Sequence, residues 1–239
     1  MKKGLKITLS IIGGLLIIII LVLGYFGFVP GVSALFGSSQ PKDLGIKYTA
    51  QDLTNAYAKT AGNFHELSST KTPLDSLSFS GTKKMDSTLT NQELTALANS
   101  GKWIYRPTKD VQIRINPDGT AEASGILVKD NLLKAAQAYG YNEDDIKKVQ
   151  DAISVIPGDP RFYVKGKASI IDNKVNMDVE QAEIGRIDAK NYISDGMAES
   201  IIEQGINHVP GADIKSATFV DGQLKLDATL PSDISRVIN

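Results

Sequence analysis

The chain has 239 residues, with 26 lysines and arginines against 27 aspartates and glutamates, so its formal net charge at pH 7 is −1. A nearly neutral chain lacks the basic surface with which nucleic-acid-binding proteins attract phosphates, and we expect no nucleic acid among its partners. The sequence contains no cysteine, which excludes disulfides, thiolate metal ligands and cysteine nucleophiles.

The first signal along the chain is a long apolar segment. No charged residue occurs between Lys6 and Lys42, and residues 15–23 are all leucine, isoleucine or valine. About 20 such residues cross the hydrocarbon core of a bilayer, and lysines before the segment favour a cytoplasmic N-terminus. We therefore predict a cytoplasmic stretch at residues 1–6 and a single-pass anchor in the cell membrane at residues 7–29, which binds the lipid bilayer. The remainder is predicted to be extracytoplasmic.

A cleaved signal peptide is the alternative, because Val32, Ser33 and Ala34 form the small-residue pattern of a processing site. The apolar region of a signal peptide is usually about 7 to 15 residues long, and this one is longer. We expect an uncleaved signal anchor; in either case the C-terminal part is exported.

The exported part is predicted to comprise a tether at residues 30–43 and one domain at residues 44–239. Thr49 is placed to cap a helix that continues to residue 60, and residues 77–88 predict a strand or a hairpin. Thr90 and Glu93 match the capping-box pattern of a second helix, which is predicted to end at Gly101.

Three hairpins are predicted from alternating polarity around turn residues. The first joins residues 111–115 and 120–129 through a turn at residues 116–119. The second joins residues 162–171 and 174–184, and the third joins residues 214–220 and 223–230. Amphipathic helices are predicted between them, at residues 130–139, at residues 142–156 and at residues 193–209. The order predicts an α+β fold, with an antiparallel sheet of hairpins packed on amphipathic helices.

Motifs that carry chemistry are scarce. The two histidines, His65 and His208, do not stand in a metal-binding spacing. The acidic run at residues 143–145 is explained by the first turn of a helix, where free N–H groups stabilise carboxylates. Ser68 and Lys71 match an S-x-x-K pattern, but the companion motifs of penicillin-interacting enzymes are missing. We expect no enzyme activity, no catalytic residue, no metal ligand and no cofactor.

Several turn and packing motifs resemble a known group of proteins. They are the run Phe-Tyr-Val-Lys-Gly-Lys at residues 162–167, Glu-Ile-Gly-Arg-Ile at 183–187, His-Val-Pro-Gly at 208–211 and Val-Asp-Gly-Gln-Leu at 220–224. Together with residues 89–127, they resemble membrane-anchored bacterial envelope proteins similar to small TULIP-like, or tubular lipid-binding, domains. The resemblance implies a strongly curved antiparallel sheet wrapped on a long helix with apolar lipid between them, and it implies no catalytic residues.

From these patterns we expect a non-catalytic, membrane-anchored domain that binds or transfers a lipid or another apolar envelope molecule. The alternative is an envelope scaffold with a solid core, whose partner is another envelope protein. The candidate lipid-facing residues are apolar positions of the hairpins and of the last helix: Val111, Ile113, Ile115, Val164, Ile193, Met197, Ile201, Phe219, Leu224 and Leu226.

Overall fold

The computed structural model describes residues 18, 20–22, 33, 39–60, 62–69, 72–154, 158–192 and 195–238. The fold is α+β, with a strongly curled antiparallel sheet that forms a half-barrel, and helices. The elements in chain order are α1 (Ala50–Thr60), β1 (Asn63–Leu67), β2 (Leu77–Ser80), β3 (Lys83–Leu89), α2 (Asn91–Ser100), β4 (Thr108–Ile115), β5 (Ala121–Leu127), α3 (Lys129–Ala138), α4 (Glu143–Ser154), β6 (Arg161–Ile171), β7 (Lys174–Ile184), β8 (Ile187–Asp188), α5 (Asp195–Asn207), β9 (Asp213–Val220), β10 (Gln223–Leu230) and β11 (Asp233–Val237).

The predicted membrane anchor lies almost entirely outside the described residues. Of residues 7–29, the structure describes Ile18, Ile20, Leu21 and Val22, which are helical and exposed. Among the helices that the structure describes, none is both long and apolar enough to span a bilayer.

The large sheet has eight strands, and β6 is its centre. The main path runs β3-β10-β9-β6-β5-β4, while β7 pairs with β6 and β8 pairs with β7. Strand β7 covers one edge of β6 from Phe162 to Ile171. The other edge of β6 is divided, because Arg161 to Gly166 pair with β5 and Ser169 to Ile171 pair with β9. One long strand therefore joins the two parts of the sheet.

The three predicted hairpins are confirmed as β4–β5, β6–β7 and β9–β10. Two of them turn through consecutive residues with positive φ. These are Asp172 at 49° and Asn173 at 63°, and Asp221 at 52° and Gly222 at 75°. Two-residue turns of this kind follow the twist of the strands, and aspartate, asparagine and glycine tolerate them best. The turn residues therefore fix the register of both hairpins.

A smaller sheet, in the order β1-β11-β2, was not foreseen. Strand β1 runs parallel to β11, from Asn63 beside Asp233 to Leu67 beside Val237. Strand β2 pairs with β11, whereas β3 pairs with β10 in the large sheet. The hairpin alternative for residues 77–88 is therefore wrong, because the chain changes sheets at Gly81, where φ is +63°.

The capping box of α2 is confirmed. The Glu93 backbone N–H donates to Thr90 Oγ1 at 3.2 Å, and the Thr90 N–H donates to Glu93 Oε2 at 2.8 Å. The Glu93 carboxylate also lies 2.7 Å from Lys59 Nζ, near the end of α1. One buried acidic side chain thus starts α2 and holds α1 against it.

Helix α2 lies along the outer edge of β4. Its side chains Asn91, Thr95 and Asn99, spaced four residues apart, each accept from one strand N–H and donate to the C=O of the same residue. Their partners are Ile115, Ile113 and Val111, with donor–acceptor distances of 2.7 to 3.3 Å. Four helical residues rise about 6 Å and two strand residues about 6.8 Å, so the two spacings match. Side chains therefore substitute for a missing neighbouring strand.

Helix α5 covers the outer edge of β7 in the same way, using carboxylates. Asp195, Glu199 and Glu203 accept from the backbone N–H groups of Val179, Met177 and Val175 at 2.9, 2.8 and 3.0 Å. No described residue of α5 is buried. Helices α2 and α5 thus contact the sheet at its edges, which differs from the predicted packing of helices on its face. An edge strand has N–H groups without a neighbouring strand, and polar side chains at positions i and i+4 of these two helices accept hydrogen bonds from them.

Candidate functional site

One face of the large sheet carries most of its apolar residues. Residues directly opposite each other on paired strands share a face, and so do alternate residues along one strand. Ile113, Ala123 and Val164 form one row across β4, β5 and β6. Ile170, Ala217 and Leu226 form another across β6, β9 and β10, and Phe219 lies opposite Leu224. We call this surface the apolar face.

The structure brings seven of the ten candidate lipid-facing residues together on the apolar face. Two of them, at the β4 edge beside α2, are buried: Val111 is 7% exposed and Ile115 is 2% exposed. The other five are half-buried, namely Ile113, Val164, Phe219, Leu224 and Leu226. Large apolar side chains in the middle of a face are ordinarily buried when another layer packs on them. Only the middle of the apolar face is accessible, because residues of the same rows on β3 and β7, such as Leu89 and Val179, are buried.

The three helical candidates are placed differently. Ile193 lies outside the described residues. Met197 is 50% exposed and Ile201 is 47% exposed on α5. These two side chains are exposed because the carboxylates of the helix, rather than its apolar residues, bind β7. The structure therefore does not join Met197 and Ile201 to the seven strand residues.

Small residues shape the apolar face along β5 and β6. A Cβ at Gly125 would lie 2.9 Å from the ring of Phe162, and a Cβ at Gly166 would lie 2.3 Å from the backbone oxygen of Asp178. Phe162 itself is half-buried on the same face and was missed as a candidate. Phe162 stands two residues before the candidate Val164 in the predicted strand at residues 162–171, and this period-two spacing is the signal that would have found it.

The opposite face is polar and carries a buried carboxylate. Glu122, whose side chain is 6% exposed, accepts from Arg114 Nη2 at 2.6 Å, from Asn116 at 3.0 Å and from the Tyr163 hydroxyl at 2.8 Å. Burial alone would raise the pKa of Glu122, but these hydrogen bonds outweigh it and lower the pKa to about 2. Burial and the nearby Glu122 charge raise the pKa of Tyr163. The cluster has its hydrogen bonds satisfied, as a structural ion pair does.

An extended segment at residues 40–46, which we call the strap, crosses this polar face. Gln112 Oε1 accepts from the N–H groups of Leu44 and Ile46, and Arg114 donates to the Leu44 carbonyl at 3.2 Å. Lys42 Nζ lies 3.5 Å from the centroid of the Tyr163 ring, and Leu44 is 3% exposed. The strap is therefore held by side chains of β4 and β6.

An open groove of about 620 Å³ lies between the strap, α2 and the edge of β4. Its lining includes Asp43, Lys47 and Asp110. It also includes Thr95 and Asn99, two of the α2 side chains that form the ladder of hydrogen bonds with β4. Because these ladder groups already bond β4, they are not free to orient a ligand. The charged side chains of the lining are Asp43, Lys47 and Asp110, which do not suit the apolar ligand expected from the sequence.

The remaining polar residues singled out in the sequence are bonded locally. His65 Nε2 lies 2.9 Å from Asp233 Oδ1 across β1 and β11, and His208 Nδ1 lies 2.8 Å from the Gln204 carbonyl. Lys71 of the S-x-x-K pattern lies outside the described residues. In the part of the chain that the structure describes, no three histidine or acidic side chains cluster as metal ligands would.

No protein-family model matches the chain, and neither a curated protein nor a solved structure matches it. The resemblance to tubular lipid-binding domains therefore stays a prediction.

Proposed function

We propose that this protein is a membrane-anchored, non-catalytic envelope protein that binds or transfers a lipid, or another apolar envelope molecule, on the apolar face of its curled sheet. The observation that supports this function is the half-buried state of Ile113, Val164, Phe219, Leu224 and Leu226. Burying one such side chain fully stabilises a complex by about 1.5 to 3 kcal/mol relative to leaving it exposed.

The composition of the face favours a flexible apolar ligand over a polar one. Its rows combine small residues, such as Ala123 and Ala217, with larger ones, such as Val164 and Leu226. Charged residues such as Lys225, opposite Thr218, and Arg114, opposite Glu122, lie on the other face. A ligand on the apolar face thus meets apolar side chains, which suits an acyl chain.

The proposed anchor at residues 7–29 would hold this face close to a supply of lipid. A span of predominantly apolar residues places the extracytoplasmic domain beside the bilayer. The scaffold alternative has its own support in α5, where Met197, Ile201 and Ile202 form an exposed apolar surface that a protein partner could cover. One experiment distinguishes the two functions.

The test is photo-crosslinking of the full chain in native membranes. Benzoylphenylalanine replaces Phe219 on the apolar face, and Thr218, the next residue on the same strand, serves as the matched control on the opposite face. After irradiation and purification, intact mass is measured. We expect a lipid-sized adduct at position 219 and none at position 218. The absence of a lipid adduct at 219 would overturn lipid binding, and a protein adduct with the same probe at the exposed Met197 of α5 would then support the scaffold.

A second pair of variants tests whether the face itself is responsible. Leu226→Asp places a charge on the apolar face, whereas Lys225→Asp changes the exposed neighbour on the other face of β10. We expect Leu226→Asp to abolish the lipid adduct at 219, because an acyl chain covering the new carboxylate would have to remove its water, which costs free energy. Lys225→Asp is expected to leave the adduct unchanged. Equal adducts in the two variants would mean that the apolar surface around Leu226 does not hold the lipid.

A further inference from the structure

Gln40, the first residue of the strap, lies at one end of the large sheet. Arg161, the first residue of β6, donates from Nη1 to the Gln40 carbonyl at 3.3 Å. Its Nε donates to the Gly185 carbonyl at 2.9 Å, in the turn between β7 and β8. The same end carries Ile187, which is 42% exposed and pairs with Ile184. The chain thus enters the described domain beside an exposed apolar residue.

We propose that this end of the sheet, formed by Arg161, Gly185 and Ile187, rests on the bilayer that holds the predicted anchor. This inference depends on the anchor and deepens the proposed function. Ten residues, 30–39, separate the predicted anchor from Gln40. Within this segment Ser33 is helical and buried. Ten residues are about 15 Å long as a helix and at most about 36 Å when fully extended.

The other end of the sheet is too far away for the same connection. Phe162, which pairs with Ile184, marks the near end of β6, beside Gln40. Ile171, nine residues later, marks the far end. At about 3.3 Å per residue, the two ends lie about 30 Å apart. A far end resting on the membrane would require the ten residues to be almost fully extended. The near end is therefore the one that meets the bilayer.

The apolar face reaches this near end. Phe162 and Ile184 lie opposite each other at the start of the β6–β7 hairpin, and Val164 and Ala182 form the next row on the same face. Ile187 would enter the headgroup region, with the basic residues Arg186 and Lys190 close to it in sequence. Glu183 and Asp188 lie opposite each other beside these residues, so the charges at this end are mixed and the exposed Ile187 is the group that would enter the interface. An acyl chain leaving the bilayer would meet the apolar face first at Phe162.

The absence of native cysteine makes single-cysteine labelling unambiguous. Ile187→Cys and Ile171→Cys are matched, since both isoleucines are exposed, at 42% and 49%, at opposite ends of one hairpin. The full chain, labelled with bimane, is reconstituted into vesicles of phosphatidylethanolamine and phosphatidylglycerol that carry a headgroup quencher. We expect loss of fluorescence at position 187 and none at position 171. The exposed pair Lys190→Cys and Lys174→Cys repeats the comparison at polar positions.

Equal quenching at both ends, or stronger quenching at 171 and 174, would overturn the proposed orientation. Flotation of the same vesicles tests the anchor separately, because a chain that does not float with lipid has none, and the proposed orientation fails with it. The photo-crosslink at position 219 tests ligand binding independently. A lipid adduct at 219 with equal quenching at both ends would retain the function and reject the orientation.

Discussion

Oε1 of Glu122 accepts from both Nε and Nη2 of Arg114, at 3.0 and 2.6 Å, across the β4–β5 hairpin. The pKa of Glu122 falls from its ordinary 4.5 to about 2 because this and two further hydrogen bonds outweigh its burial. A pKa lowered this far on folding corresponds to at most about 3 kcal/mol of folding free energy, because the 40% exposed Arg114 side chain is partly screened by solvent. Since the pKa is lowered on folding, this stabilisation is present above about pH 4.5 and disappears as the pH falls towards 2.

We therefore expect Glu122→Gln to lower the free energy of unfolding of the detergent-solubilised chain at pH 7 by at most about 3 kcal/mol. The variant should also lose stability less steeply between pH 4.5 and pH 2. Urea unfolding followed by the fluorescence of Trp103, the single tryptophan, measures both effects. Glu66→Gln, on an exposed position of β1, is the control. Identical pH slopes for Glu122→Gln and the wild-type chain would contradict this assignment.

Asn99→Ala removes one rung of the ladder between α2 and β4. Helix propensity alone favours alanine, but the substitution leaves the N–H and C=O of Val111 without their side-chain partner. We expect a loss of about 1 to 3 kcal/mol in the free energy of unfolding and faster amide exchange at Val111. Gln92→Ala, an exposed position of the same helix, should be neutral or slightly stabilising. Unchanged protection of the Val111 amide would show that the ladder contributes little.

Glu199→Ala tests how α5 is attached. The substitution frees the Met177 N–H, while Asp195 and Glu203 still bond Val179 and Val175 on either side. We expect hydrogen exchange to accelerate most at Met177, with smaller changes at the two neighbouring rungs, which serve as internal controls. If all three amides exchanged faster to the same extent, the helix would dissociate as a unit rather than rung by rung.

Two glycines of the sheet should differ in their tolerance of a methyl group. At Gly166 an added Cβ would meet the backbone oxygen of Asp178 at 2.3 Å, so the β6–β7 pairing has to shift. At Gly125 the nearest atoms belong to the Phe162 ring, 2.9 Å away, which can move. We expect Gly166→Ala to cost about 1 to 3 kcal/mol and Gly125→Ala less, as thermal unfolding would report. A larger loss for Gly125→Ala would show that the Phe162 ring is held rigidly.

Local chemistry explains which parts of the fold were predictable. The capping box at Thr90 and Glu93 and the turns at Asn173 and Gly222 depend on residues a few positions apart, so their patterns are visible in the sequence. The alternation of Val111, Ile113 and Ile115 with Gln112 and Arg114 likewise placed three candidate residues on one face of β4.

Pairings between distant segments were not predictable in the same way. Strand β1 is exposed along most of its length and pairs with β11, about 170 residues later, so it has no local alternation to identify it. The stripe of Asn91, Thr95 and Asn99 has helical spacing, but only the position of β4 gives it a partner. The carboxylates of α5 resembled an ordinary solvent-facing stripe for the same reason.

The two ladders also restrict how another chain could recognise this protein. Many peptide-binding domains accept a ligand as an extra strand, through the unpaired main-chain groups of an outermost strand. On β4 and β7 the alternate amides that such a peptide needs already donate to α2 and α5. Strand addition there would first have to displace a whole helix. Recognition by β4 and β7 must therefore use side chains, so a partner is selected by its shape and polarity rather than by its extended backbone.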